Sequence, residues 1–153
     1  MQTPDTTAAG ASRAQQLAEY HSRIRSRYTE QQQVAISLLY EVATRHLGTS
    51  GGNTCAKLLL GLYNGNRFPF DLTDLRLLDA ANFEAAMTVL RMDARHTYCE
   101  VHVLLDAIYA DGRYTGDELE LWAWDLRLKG RSKKDAIDEL RARVSVRRQG
   151  AAS

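Results

Sequence analysis

The stretch Asn53–Asp79, NTCAKLLLGLYNGNRFPFDLTDLRLLD, constrains the fold more than any other part of the chain. Leu58, Leu59, Leu60, Leu62 and Tyr63 leave little polar face, which predicts a helix in the middle of a helical domain. Asn53 or Thr54 is placed to cap its start. Gly61 costs ~1 kcal/mol against alanine inside a helix, which predicts close packing against a neighbouring helix. Asn64-Gly65 predicts a stop through the left-handed conformation. Phe68-Pro69-Phe70 predicts an extended clip with both rings anchored on the core. Asp71 then caps a further helix with Leu72, Leu75 and Leu78 as its buried stripe. Arg67 has no part in helix mechanics. It is expected to pair with Asp71 or Asp74, and it is a candidate partner contact.

The rest of the chain reads as helix after helix. Ser12–Gln15, Thr29–Gln32 and Thr115–Glu118 fit capping boxes, in which a hydroxyl and an amide or carboxylate satisfy each other's backbone donors. Leu17, His21, Ile24 and Tyr28 give the first helix a thin stripe, suited to loose packing or to a dimer. Val34, Ala35, Leu38, Leu39 and Val42 follow the 3.6-residue period, and Thr49–Gly52 reads as a flexible link. Phe83, Ala86, Met87 and Leu90 form a helix capped by Asp79 or Asn82. Thr97–Ile108 predicts another helix. Its alternation at Thr97, Cys99, Val101 and Val103 also fits a strand, but no second strand signal exists to pair with it. Leu119, Trp122, Ala123 and Leu126 make one stripe and Leu121, Trp124 and Leu128 a second, on a helix ended by Gly130. Ser132 opens the last helix, with Ala136, Ile137, Leu140 and Val144 inward. The expected fold is all-α, a compact bundle of seven or eight helices. One domain spans residues 12–148, behind a disordered lead at 1–11 and a frayed end at 149–153.

At 153 residues the chain is long enough to bury a core. No apolar run approaches the ~18 residues of a membrane span. The N-terminal residues lack the basic and apolar regions of a secretory signal, so a cytoplasmic protein is expected. Two cysteines, Cys55 and Cys99, make no disulfide framework and are expected to be reduced. The net charge of +1 hides a skew: residues 1–70 carry +3, residues 71–125 carry −8 and residues 126–153 carry +6. Asp106, Asp111, Asp117, Glu118, Glu120 and Asp125 are therefore candidates to present carboxylates to a basic groove on a partner, with Trp124 as an interface anchor. Lys133, Lys134, Arg141 and Arg148 offer the opposite reading, a basic face for nucleic acid. The bland alternative for both is a set of solvated helix faces.

The sequence offers little for catalysis or metal chemistry. His96, Cys99 and His102 are three apart and would fan around a helix, and zinc needs about four ligands. Gly51-Gly52 lacks the Gly-Lys-Ser/Thr ending of a phosphate loop. Glu100 and His102 do not face each other at helical spacing. A non-enzymatic protein with no metal and no cofactor is expected.

The run Leu58–Leu72, LLLGLYNGNRFPFDL, resembles a small, largely uncharacterised bacterial family, and Glu100-Val101-His102 is similar to its later pattern. The resemblance covers roughly Gly48–Gly130. It implies carriage on integrative and conjugative elements of Pseudomonas and related bacteria, and it carries over no catalytic residue. Small cargo proteins of such elements include anti-CRISPR proteins, which this chain resembles in size and charge skew. That implies an inhibitor that binds a type I CRISPR surveillance complex and blocks target DNA. The alternative is a DNA-associated accessory or regulatory protein of a conjugative element, working through the basic last helix. A homodimer is compatible with either.

Overall fold

The computed structural model describes residues 6–152, with side chains from Ser12 to Gly150. Among the described residues there are seven α-helices, one 3-10 helix and no strand, in a single compact domain. They are α1 (Thr6–Arg25), α2 (Glu30–Arg45), α3 (Ser50–Tyr63), the 3-10 helix (Leu72–Leu77), α4 (Ala80–Arg95), α5 (Val101–Tyr109), α6 (Thr115–Asp125) and α7 (Lys134–Ala152).

Helix α3 is the hub: it packs on α2, α4, α5, α6 and the 3-10 helix. Leu58, Leu59 and Leu60 are all buried, each stabilising the fold by about 2 kcal/mol relative to exposure. α3 starts earlier than the sequence suggests. Thr49, rather than Asn53 or Thr54, is its cap, accepting from the Gly52 N–H at 3.1 Å. Gly51 and Gly52 are therefore helical and not a flexible link. A Cβ on Gly52 would lie 1.9 Å from the His46 carbonyl oxygen, so glycine is what lets α2 and α3 meet so tightly. α3 ends at Asn64 as expected, but Asn64 is extended (φ −157°), and its side chain accepts from the Arg67 N–H at 3.2 Å.

The clip folds back on its own helix. Phe68 is buried and Phe70 partly so, and Gly61 lies under both, 3.3 Å from each of the Phe68 carbonyl oxygen and the Phe70 Cβ when a Cβ is added. The close approach foreseen at Gly61 is real, but its neighbour is the clip rather than another helix. The Asp71 segment departs further. Asp71 does cap it, accepting from Thr73 N–H at 2.9 Å, yet it is a single 3-10 helix with no buried residue. Leu72 is 72% exposed.

α4 is capped by Asp79 and closes at His96, and the ambiguous segment is the helix α5. Ser12–Gln15 lies inside α1, which starts at Thr6, so its capping-box reading fails. The 1–11 lead is only partly testable, since residues 1–5 lie outside the described residues. α7 continues to Ala152, through the segment expected to fray. Neither terminal helix belongs to the centre: α1 packs chiefly on α5 and α7 chiefly on α6.

Candidate nucleic-acid interface

The six carboxylates proposed for a partner all have partners inside the chain. Asp106 accepts from the backbone and hydroxyl of Thr115, at 2.7 and 2.5 Å, and so anchors the start of α6. Thr115 is the first residue of α6, with Tyr114 at the cap position, so the expected capping box is absent. Glu118, the other half of that box, accepts from the Tyr40 hydroxyl. Asp111 takes a forked pair of bonds from Arg113, which holds its carboxyl below the usual range. Asp117 pairs with Arg147 of α7, with Arg143 at 3.8 Å, and Asp125 pairs with Arg141 at 2.8 Å. Two of the six, Asp117 and Asp125, thus meet arginines of the basic helix across the α6–α7 contact.

Glu120 is the most buried of the six, at 8% exposure, and it meets Arg67. Two guanidinium nitrogens of Arg67 reach its two oxygens at 2.6 and 2.7 Å. Tyr63 and Ser132 hydroxyls each donate to it at 3.0 Å. Arg67 Nε donates to the Gly130 carbonyl at 3.1 Å. Burial pushes the Glu120 carboxyl up, but the bonds from Arg67, Tyr63 and Ser132 outweigh it and leave it below the ordinary glutamate value. The expected pairing of Arg67 with Asp71 or Asp74 is wrong: Lys57 takes Asp74 at 3.0 Å and Asp71 caps its own turn. Arg67 therefore ties the clip to the start of α7. A Cβ on Gly130 would fall 2.0 Å from the Arg67 carbonyl oxygen, which makes glycine necessary at that crossing.

The basic residues divide differently. Lys134 pairs with Asp138 at 2.9 Å and Arg141 with Asp125. Arg148 sits apart, on a groove of about 790 Å³ between α2, the α5–α6 turn and the end of α7. Lys133 belongs instead to the segment 126–133 between α6 and α7. There Arg127, Lys129, Arg131 and Lys133 are all exposed, and none forms an ion pair among the described residues, although Asp125 lines the same hollow as Trp124, Arg127 and Arg131.

The path of this loop follows from how α6 ends. Leu128 N–H bonds to the Ala123 carbonyl and Arg127 N–H to the Trp124 carbonyl, both at 3.0 Å. This is the Schellman closure, whose left-handed position is normally glycine. Here Arg127 occupies it at φ 55°. A side chain in that conformation costs roughly 1–2 kcal/mol. Arg131 folds back to donate to the Leu128 carbonyl at 2.9 Å and lies 5.4 Å from the Trp124 ring. Trp124 is half-buried, and part of its indole lines one hollow with Asp125, Arg127 and Arg131. Sequence reading picked Trp124 and Lys133 but missed Arg127, Lys129 and Arg131. The signal was present as RLKGRSKK, cations at nearly every second position.

His96 and Glu100 are exposed helix caps, while His102 turns inward to meet the Tyr63 ring edge-on at 5.1 Å. Its Nδ1 has no hydrogen-bond partner among the described residues. Cys55 is buried and Cys99 partly buried, both as free thiols; burial raises Cys55 to about 11. Among the described residues no cluster of three His, Cys, Asp or Glu is arranged to hold a metal, and no helix is long and apolar enough to cross a membrane.

No curated protein and no solved structure matches the chain. Residues 33–122, from α2 through most of α6, match a family model whose description is "Family of unknown function (DUF7673)". The match leaves α1, the α6–α7 loop and α7 outside it. The chain belongs to the DUF7673 family of unknown function.

Proposed function

We propose that this protein works by binding, not catalysis, and that its α6–α7 loop engages the phosphate backbone of nucleic acid. One observation carries the reading: Arg127, Lys129, Arg131 and Lys133 stand exposed with no ion-pair partner among the described residues, and Arg127 and Arg131 line a hollow with Trp124. Clustered cations neutralise phosphates, and an aromatic face stacks bases without sequence preference. A strained arginine where glycine would close the helix at lower cost supports the same surface. In the mobile-element setting implied by the LLLGLYNGNRFPFDL resemblance, this is a DNA-associated accessory or regulatory role. Fluorescence anisotropy with a labelled single-stranded oligonucleotide and its duplex tests it. Salt-dependent binding, lost on neutralising the four loop cations, is expected. No binding to either at 50 mM salt rejects the reading.

A second reading, inhibition of a type I CRISPR surveillance complex by protein contact, is favoured by a narrower observation. The Asp111 and Asp125 side chains remain 46% and 44% exposed despite their pairing, so part of the acidic span still reaches solvent. Pull-down with the effector complex, followed by its target-DNA binding assay, tests that role. Unchanged DNA binding at saturating protein removes it.

A further inference from the structure

The apolar face of α1 runs past the edge of the domain. Leu17, Tyr20 and Ile24 share one side of the helix, at i, i+3 and i+7. Ile24 is fully buried where α1 packs on α5, but Leu17 is 50% and Tyr20 45% exposed. Every residue from Ser12 to Tyr20 is exposed. An isolated helix of this length is marginal in water, and this one is only weakly amphipathic. A face that begins in the core and continues uncovered calls for a second surface along the same line.

Such a surface exists on α2. Val34, 60% exposed, forms with Leu38 of α2 and Ile108 of α5 the floor of an open groove of about 440 Å³. Glu30 and Glu41 border it at its two ends. These glutamates are eleven positions apart, ~16 Å along a helix. On the arm, Arg13 and Arg23 are exposed and ten positions apart, ~15 Å, with Leu17 and Tyr20 between them. Neither arginine side chain nor Glu30 has an ion-pair partner among the described residues. Glu41 accepts from Tyr109 at 2.6 Å and pairs with Arg45 at 3.2 Å on its outer side. Laid antiparallel, the arm sets Tyr20 on Val34 and Leu17 on Leu38, with Arg23 beside Glu30 and Arg13 beside Glu41. The match in apolar spacing, charge sign and length is between two parts of the same sequence.

We infer that a second copy of this chain supplies the cover: the α1 arm of each copy lies in the α2–α5 groove of the other, giving a reciprocal dimer. Exchange of identical elements closes the symmetry and fills both grooves at once. This is independent of nucleic-acid binding, since the loop at 126–133 takes no part in it.

Sedimentation velocity at 5–100 μM (a range chosen to bracket micromolar dimers, about −8 kcal/mol) gives the mass. The expected result is twice the chain mass of 17.2 kDa. Leu17→Asp and Val34→Lys, both at exposed positions, should each return a monomer with an unchanged circular dichroism spectrum. Arg23→Glu should weaken the dimer about thirtyfold and Glu30→Arg should restore it, because the reciprocal dimer holds two copies of an exposed ion pair of ~1 kcal/mol. Pairing is read by mixing a Leu17→Cys protein with a Val34→Cys protein under mild oxidation: a mixed covalent dimer is expected. A single-chain mass at 100 μM overturns the inference. So does a dimer that survives both substitutions, or cross-linking of Leu17→Cys only with itself, which would mean that arms pair with arms.

Discussion

Two groups of cations lie within thirty residues of each other and have opposite fates. On α7, Arg141, Arg143 and Arg147 face Asp125 and Asp117 of α6. In the loop before α7, Arg127, Lys129, Arg131 and Lys133 form no ion pair among the described residues. A charge run in a sequence is therefore not a surface field. On α7 the cations hold a terminal helix that, among the described residues, buries only Ile137, Leu140 and Val144. In the loop the same residue types are exposed to solvent. The difference lies in what the neighbouring helix presents. α6 turns Asp117 and Asp125 toward the arginines of α7, while the loop cations beyond the Arg127 closure form no ion pair among the described residues.

The comparison breaks most severely at the residue pair that fixes where α7 begins. Glu120→Ala should destabilise the protein by about 3 kcal/mol in chemical denaturation, because it strands the Arg67 guanidinium beside a gap. Glu120 also sets a pH dependence. Its folded carboxyl lies below its unfolded value of 4.5, so its contribution is present above that value and is lost as pH falls through the folded one. Glu120→Gln should flatten the acid limb of a stability-versus-pH curve measured between pH 6 and 3. A curve unchanged in shape would mean that another carboxylate governs it.

Loop and helix are separated by binding. Neutralising Arg127, Lys129, Arg131 and Lys133 together should weaken oligonucleotide affinity at least tenfold while leaving thermal stability within ~1 kcal/mol of the parent. Trp124→Ala should weaken single-stranded binding by about 1–3 kcal/mol and duplex binding less, if bases stack on the indole. Arg127→Gly should stabilise the fold by about 1 kcal/mol, since glycine takes the left-handed position without strain, and yet lower affinity. A stabilised variant with undiminished affinity would detach the strain from function. Smallest of all, Asp117→Asn, in a part-exposed pair, should cost about 0.5–1 kcal/mol of stability and leave oligonucleotide binding unchanged.

The parts of this fold that were legible in the sequence are those governed by local period and packing. The α3 leucines, the Phe68 anchor, the Thr29 and Asp79 caps and the Leu119–Trp122–Ala123 stripe all stand where periodicity places them. What local rules could not reach were pairings between distant residues. Arg67 lies four residues from Asp71 but reaches Glu120, 53 positions away, because the clip turns its side chain across α6. The Thr115 box failed for a similar reason: Asp106 takes the Thr115 N–H and hydroxyl proton, and Thr115 is the first residue of α6, with Tyr114 at the cap. The acidic span looked like a surface field because nothing in the sequence says that α7 returns over α6. The basic loop was legible as composition, but its exposure depends on the Arg127 closure.

The central claim is that the exposed loop cations, and not the paired cations of α7, give this protein its ligand. Anisotropy of a labelled single-stranded oligonucleotide, titrated from 50 to 300 mM salt, tests it most directly on three proteins. These are the parent, the four-site loop variant, and a variant with Arg141, Arg143 and Arg147 changed to glutamine. Four phosphate contacts predict a slope of log affinity against log salt near −3 for the parent. That slope should collapse in the loop variant and persist in the α7 variant. Equal slopes in the parent and the loop variant, or no binding by the parent at 50 mM salt, would contradict it.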